Sequence, residues 1–195
     1  MIILTDVDGV LVDFVSGVCG LLRQRGEDAW PAQVKSWELG ATFSAEAMRH
    51  FSRQSKRPGF CRDLDWYQGV PLFLNALRAR GDLHAVTAPL HGSDHWMTER
   101  MRVLEHMGFP HDHVHFTSGT YKHLVRGDVL IEDHPKTCAD WCKANKKGQA
   151  ILIDRPWNSP KAKEYVPHPR VTRASSYDQA MRVIDKMTAR TRKAA

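Results

Sequence analysis

The sequence predicts an α/β fold: a mainly parallel sheet between helical layers, with a small helical insertion near the amino end. Three observations carry this expectation. Short apolar runs alternate with segments of helical periodicity over most of the chain. Polar residues follow directly on those runs: Asp6 and Asp8 after the first, Thr87 after another, Glu132 and Asp133 after a later one. Between residues 26 and 68 the alternation stops, and aromatic residues mixed with polar ones replace it.

In chain order, Ile2-Ile3-Leu4-Thr5 is a short apolar run ending in Asp-Val-Asp-Gly, which reads as a buried strand stopping at a turn. Val10 to Leu22 fits a helix leaving that turn. Residues 26–68 hold Trp30, Trp37, Phe43, Phe51, Phe60 and Trp66 and a Pro58-Gly59 turn, with no strand signal. They read as a mostly helical insertion, so that residues 1–25 and 69–195 form the core. Pro71 to Arg80 suits a helix with proline at its start and Gly81 just past its end. Leu83 to Val86 is a short strand, and Ser93 to His106 suits a helix with Ser93 as its N-cap. Val114–Phe116, Val129–Ile131 and Ala150–Ile153 are further strands; Pro135–Asn145 and Tyr177–Thr188 are further helices.

A chain of 195 residues suffices for one core with a small lid. Its 42% hydrophobic and 26% charged residues are ordinary for a soluble globular domain. No apolar run approaches the roughly 20 residues that cross a bilayer. The start Met-Ile-Ile-Leu-Thr-Asp has neither the basic leader nor the apolar length of a signal peptide, so a cytoplasmic protein is expected. Cys19, Cys61, Cys138 and Cys142 include no C-x-x-C pair, which favours reduced thiols over a zinc site or disulfides. The net charge of +6 admits a nucleic-acid partner, a phosphorylated small substrate, or solubility alone. Part of it sits in Lys186, Arg190, Arg192 and Lys193, read as a solvated helix end or tail.

Ligands of open α/β sheets bind outside the carboxyl ends of the strands, so the polar residues that follow the apolar runs can converge on one site. Asp6 and Asp8, two residues apart at a glycine turn, repel each other unless a cation lies between them. Magnesium suits that place, because it takes oxygen ligands and is held by one or two carboxylates plus a substrate phosphate. An isolated D-x-D-G is better read as a turn capped by aspartates, and the D-x-D of a sugar-nucleotide transferase is another reading. His111, His113 and His115 alternate, as on one face of a strand. With no second cluster evident to complete four metal ligands, a polar strand entry is the preferred reading.

The wider context separates these alternatives. Asp6-Val7-Asp8-Gly9-Val10-Leu11-Val12-Asp13, Thr87 in Ala85-Val86-Thr87-Ala88-Pro89, Lys122, and Glu132-Asp133 in Val129-Leu130-Ile131-Glu132-Asp133-His134-Pro135 follow one another at strand ends. Together they resemble the four motifs of the haloacid dehalogenase (HAD) superfamily, over nearly the whole chain. Within it, the chain is most similar to the 5'(3')-deoxyribonucleotidases. The likeness rests on Asp6 to Phe14, the Thr87-Ala88-Pro89 turn, the run from Lys122 to Pro135, and the Ile153-Asp154-Arg155-Pro156-Trp157-Asn158 loop. Two positions depart from that family: Ala88 replaces a serine, and Glu132 replaces the first of two aspartates.

The resemblance implies a Rossmann-like three-layer α/β/α core with residues 26–68 as a cap. It implies Asp6 as nucleophile, Asp8 as general acid and base, and Mg2+ held by Asp6, the backbone carbonyl of Asp8 and Asp133. Lys122 would steady the nucleophile and phosphoryl oxygens; the Thr87 hydroxyl and Ala88 N–H would bind phosphate; Glu132 would support the site without ligating the metal. Phe14 matches a base-contacting position, and Trp37 and Phe43 are further candidates, unless these aromatics fill the cap's own core. The expected activity is Mg2+-dependent hydrolysis of a (deoxy)nucleoside monophosphate through an aspartyl-phosphate. The alternatives are a phosphatase for another small phosphate or a nucleic-acid terminus, and a non-catalytic nucleic-acid-binding protein on the same fold. A binding module has no need of both Asp6 and Asp8. Neither a membrane partner nor a stable nucleic-acid complex is expected; a homodimer stays open.

Overall fold

The computed structural model of the protein describes residues 1–162 and 165–194. Six strands form one parallel sheet in the order β3-β2-β1-β4-β5-β6. They are β1 (Ile2–Thr5), β2 (Asp82–Thr87), β3 (Val114–Phe116), β4 (Val129–Glu132), β5 (Gln149–Ile153) and β6 (Val171–Ala174). The helices are α1 (Phe14–Arg23), α2 (Ala45–Gln54), α3 (Val70–Arg78), α4 (Trp96–His106), α5 (Pro135–Ala144) and α6 (Tyr177–Ala194). Among the described residues no helix is long and apolar enough to cross a membrane.

Alternation along the strands sorts side chains into two cores. Ile3, Leu83, Ala85, Val129, Ile131 and Ile151 face α3, α4 and α6, meeting Phe73, Leu77, Leu104 and Ile184. Leu4, Val86, Leu130 and Leu152 face α5, meeting Cys138, Trp141 and Cys142. Two helical layers therefore enclose the sheet, which explains why its strands read as short continuous apolar runs. Cys138 and Cys142 share the buried face of α5, and all four cysteines are buried and free.

Three details differ from the sequence reading. The first helix begins at Phe14, not Val10, because Val10 to Val12 belong to a tight loop: the amides of Val10, Leu11 and Val12 all donate to the Val7 carbonyl. Asp13 then caps α1, its carboxylate accepting from Ser16 N at 3.0 Å. Ser93 does not cap α4, which starts at Trp96; the Ser93 hydroxyl points instead to the Lys56 carbonyl at 3.5 Å. β6 carries Thr172 and Arg173 between Val171 and Ala174 at the sheet edge, too polar and short a run to stand out.

Between α1 and α3 the chain makes two 3-10 turns, Pro31–Gln33 and Leu39–Ala41, and α2. α1 buries Val15, Val18, Cys19 and Leu22 against Ala29, Val34, Ala47 and Phe51 of this segment and against Trp157. The basic residues Arg190, Arg192 and Lys193 lie outside the described side chains; Lys186 is an exposed residue of α6.

Candidate active site

The strand order reverses direction between β1 and β4: the chain runs outward through β2 and β3, then returns to build β4, β5 and β6 on the other side. Ligands of such sheets bind at this switch point, outside the carboxyl ends of the strands. Asp6 and Asp8 leave β1 there, and Glu132 and Asp133 end β4 beside them. Gly9 has φ 78° in the turn after Asp8, and a Cβ there would lie 1.9 Å from Asp133 Oδ2. Only glycine both adopts this backbone and lets the two acidic loops approach.

Lys122, on the 3-10 turn Gly119–Leu124, is buried with its Nζ 2.7 Å from Asp6 Oδ1 and 3.0 Å from Glu132 Oε2. Val7 N donates to the same Asp6 oxygen at 2.7 Å. Glu132 Oε1 accepts from the amides of Asp133 and His134, each at 3.2 Å. Both Glu132 oxygens are thus engaged in holding Lys122 and the loop after β4. Asp133 Oδ2 accepts from Trp157 Nε1 at 2.8 Å, while its Oδ1 is buried with no partner among the described residues. The Thr87 hydroxyl at the end of β2 is likewise buried and unpartnered.

The charges do not balance. Asp6, Glu132 and Asp133 lie close enough together to hold one cation, and among these groups Lys122 alone is positive. Asp8 is neutralised separately by Arg100, whose Nη2 donates to Oδ1 at 2.6 Å. The cluster therefore retains two negative charges when fully ionised. Burial pushes the Asp6 carboxyl up to about 8, with Glu132 adding to the rise and Lys122 opposing it. Burial, then the Asp6 charge, raises Asp133 to about 7. Asp8 also lies above the usual carboxylate range, burial outweighing Arg100. Burial works to lower the Lys122 pKa, but Asp6 and Glu132 outweigh it and the ammonium stays charged. An oxygen-only donor set, an excess of buried negative charge and the unpartnered Asp133 Oδ1 all fit a hard divalent cation such as Mg2+.

Two cavities adjoin this cluster. One of about 470 Å³ is lined by Asp6, Asp8, Ala88, Lys122 and Glu132 together with Ser118, Thr120 and Lys136. The other, of about 210 Å³, is walled by Phe14, Val15, Val34, Trp37, Leu39 and Trp157 and touches Asp8 and Asp133. Trp37 borders both, its ring 4.2 Å from the imidazole of His134. Phe14 makes edge contacts with Phe51, Phe60 and Trp96 as well as lining the smaller cavity. Phe43 lines neither cavity; it packs against the apolar cluster of α1 and α2. Sequence reasoning missed Arg100 and Trp157, the one an ordinary residue of α4, the other quoted only as part of a loop.

Solved structures share the fold. A haloacid dehalogenase-like hydrolase from Burkholderia xenovorans superposes with a TM-score of 0.62 at 15% identity, covering 96% of this chain and 97% of that one. A HAD-hydrolase from Bacillus subtilis, solved with bound magnesium, gives 0.59 at 16% identity, covering 94% and 98%. These likenesses show a fold of the HAD type. Residues 1–191 match the family model of the 5' nucleotidase, deoxy (Pyrimidine), cytosolic type C proteins, and the chain belongs to that family. It is accordingly a phosphatase of the 5'-nucleotidase type. Proteins of Bordetella pertussis and Bordetella parapertussis, provisionally assigned as 5'(3')-deoxyribonucleotidases, are 29% identical to it over 163 residues, 81% of this chain and 86% of theirs.

Proposed function

We propose that the protein hydrolyses (deoxy)nucleoside monophosphates with Mg2+, through a phosphoryl group carried on Asp6, and that residues 26–68, with the α1 on which they pack, cap the site. The observation that carries this is the buried, negatively unbalanced cluster of Asp6, Glu132 and Asp133 around Lys122, set beside an aromatic-walled cavity.

Asp6, the backbone carbonyl of Asp8 and Asp133 would hold the ion, which when bound offsets the repulsion between a carboxylate nucleophile and a phosphate dianion. The Asp6 carboxylate, oriented by Lys122 and Val7 N–H, attacks phosphorus; the Asp6–phosphorus bond forms as the ester bond to the leaving oxygen breaks. Asp8 gives that oxygen a proton, then takes one from the water that releases phosphate. The raised pKa of Asp8 suits it to carry that proton. Lys122, the Thr87 hydroxyl and the Ala88 N–H receive the remaining phosphoryl oxygens. The smaller cavity supplies apolar walls for a base, with Phe14 and Trp37 as the stacking surfaces.

The test is phosphate release from a panel of nucleoside monophosphates, sugar phosphates and 3'- or 5'-phosphorylated oligonucleotides, with Mg2+ and with EDTA. Release from the mononucleotides should require Mg2+ and fall by at least about a thousandfold in Asp6→Asn. Release from oligonucleotide ends alone would replace the substrate; ligand binding without turnover would replace the reaction.

A further inference from the structure

At the opposite end of the strands, the sheet face covered by α5 terminates in a group of imidazoles. His84 on β2 pairs in register with Leu4, and Val86 pairs with His115 of β3, so these side chains share that face. The rings of His84 and His113 stack with centroids 4.1 Å apart and 13° between planes; the His115 ring lies 5.3 Å from His84 on centroids. His84 Nδ1 is 3.1 Å from His115 Nε2. Asp82, at the start of β2, completes the group, with Oδ2 3.0 Å from His84 Nε2 and Oδ1 3.5 Å from His113 Nδ1. Ligand atoms of Asp82, His84 and His113 all lie within 4.8 Å of one another.

The second cluster that the alternating histidines lacked in the sequence is therefore present, supplied by the neighbouring strand. His111 takes no part; it pairs with Glu105. We propose that Asp82, His84 and His113, with His115 beside them, form a binding site for a transition-metal ion of the Zn2+ or Ni2+ class. Imidazole nitrogens select such ions, whereas Mg2+ keeps to oxygen ligands, so this site and the catalytic cluster take different metals. His113 Nδ1 lies 3.1 Å from the Leu83 carbonyl and 3.5 Å from Asp82 Oδ1, so the ring keeps the carbonyl contact if it ligates through Nε2 and gives it up if it ligates through Nδ1. A ligating histidine commonly donates its other N–H to a backbone carbonyl in this way. The ion takes the place of the proton that His84 Nε2 shares with Asp82. Bonds of about 2.0–2.1 Å to nitrogen require the ligands to draw together. The side chains of His113 and Asp82, 28% and 53% exposed, have room to turn. Occupation would fasten the edge strand β3 to β2 without reaching the catalytic loops.

Calorimetric titration of the tag-free protein with ZnCl2, in millimolar Mg2+ to occupy the carboxylate cluster, tests this. We expect one Zn2+ per chain and a higher melting temperature with zinc. His84→Gln and His113→Gln should each weaken zinc binding at least about tenfold while leaving Mg2+-dependent phosphatase activity unchanged. Should His84→Gln fail to fold, Asp82→Asn, at an exposed position, carries the same expectation. No zinc uptake by the wild type, or equal affinity in wild type and variants, overturns the proposal.

Discussion

Arg100 is fully buried on α4 and donates one N–H to Asp8, while its Nε and Nη1 have no partner among the described residues. Its guanidinium lies 5.0 Å from the centre of the Trp96 ring. Asp8→Asn should therefore do two things: remove the proton donor, and leave a buried guanidinium without its counter-charge. Breaking a buried pair from one side costs about 3–5 kcal/mol, and the partial exposure of Asp8 puts the expected loss at the low end. Adding Arg100→Met to Asp8→Asn should restore part of that stability but none of the activity. Urea unfolding of the two single variants and the double variant measures the coupling. Equal destabilisation in single and double variants would mean that Arg100 is held by packing alone. Nothing in the sequence marks Arg100. Asp6, Asp8 and Asp133 are legible because each follows an apolar strand within a recognisable motif. Arg100 reaches Asp8 only because α4 passes behind the loop after β1, a tertiary fact with no local signature.

The loop after β5 binds both acidic turns at once. Arg155 Nε donates to the Gly9 carbonyl at 2.6 Å and its guanidinium lies 3.8 Å from the centre of the Tyr67 ring. Trp157 Nε1 holds Asp133 Oδ2, and Asn158 Nδ2 donates to the carbonyls of Asp133 and Ile153, each at 2.7 Å. With Oδ2 held by the indole, Oδ1 has no partner among the described residues, and it is the oxygen that the proposed metal would take. Trp157→Phe keeps the apolar wall of the smaller cavity but removes this donor. Groups that orient metal ligands are worth about 10–100-fold in metal affinity, and Mg2+ binding by the variant should weaken on that scale with a near-normal melting temperature. Unchanged Mg2+ affinity would show that Asp133 needs no such support. At this scale the regular elements of the core were legible, because doubly covered strands must be apolar and their helices must alternate. β6 was not, since an edge strand with Thr172 and Arg173 carries no continuous apolar run. The segment between α1 and α3 was legible only as an interruption; its turns depend on α1 and Trp157 for a core.

Across the whole molecule the basic balance is reversed locally. A chain of net charge +6 folds so as to bury three carboxylates around one lysine at the switch point of its sheet. That arrangement couples stability to pH and to the metal, and the sign follows from the shifts. Asp6 is held up to about 8 and Asp133 to about 7, against about 3.9 for an aspartate in an unfolded chain. Without metal the folded state then binds protons more tightly than the unfolded state. The stability contributed is complete below the unfolded pKa and is lost as pH rises through the folded values. His115, whose pKa is lowered by burial, works the other way, adding stability as pH rises through the range below about 6.5. The melting temperature of the metal-free protein should therefore fall between about pH 6.5 and pH 8. A divalent cation replaces the protons, and its binding releases them. Mg2+ should thus raise the melting temperature much more at pH 8 than at pH 5. A His115→Gln variant should keep the alkaline fall, since that fall belongs to the carboxylates. Melting temperatures that rise with pH in EDTA, or a magnesium effect independent of pH, would show that these carboxyls stay ionised without the ion, and that Lys122 and the surrounding amides suffice to hold them.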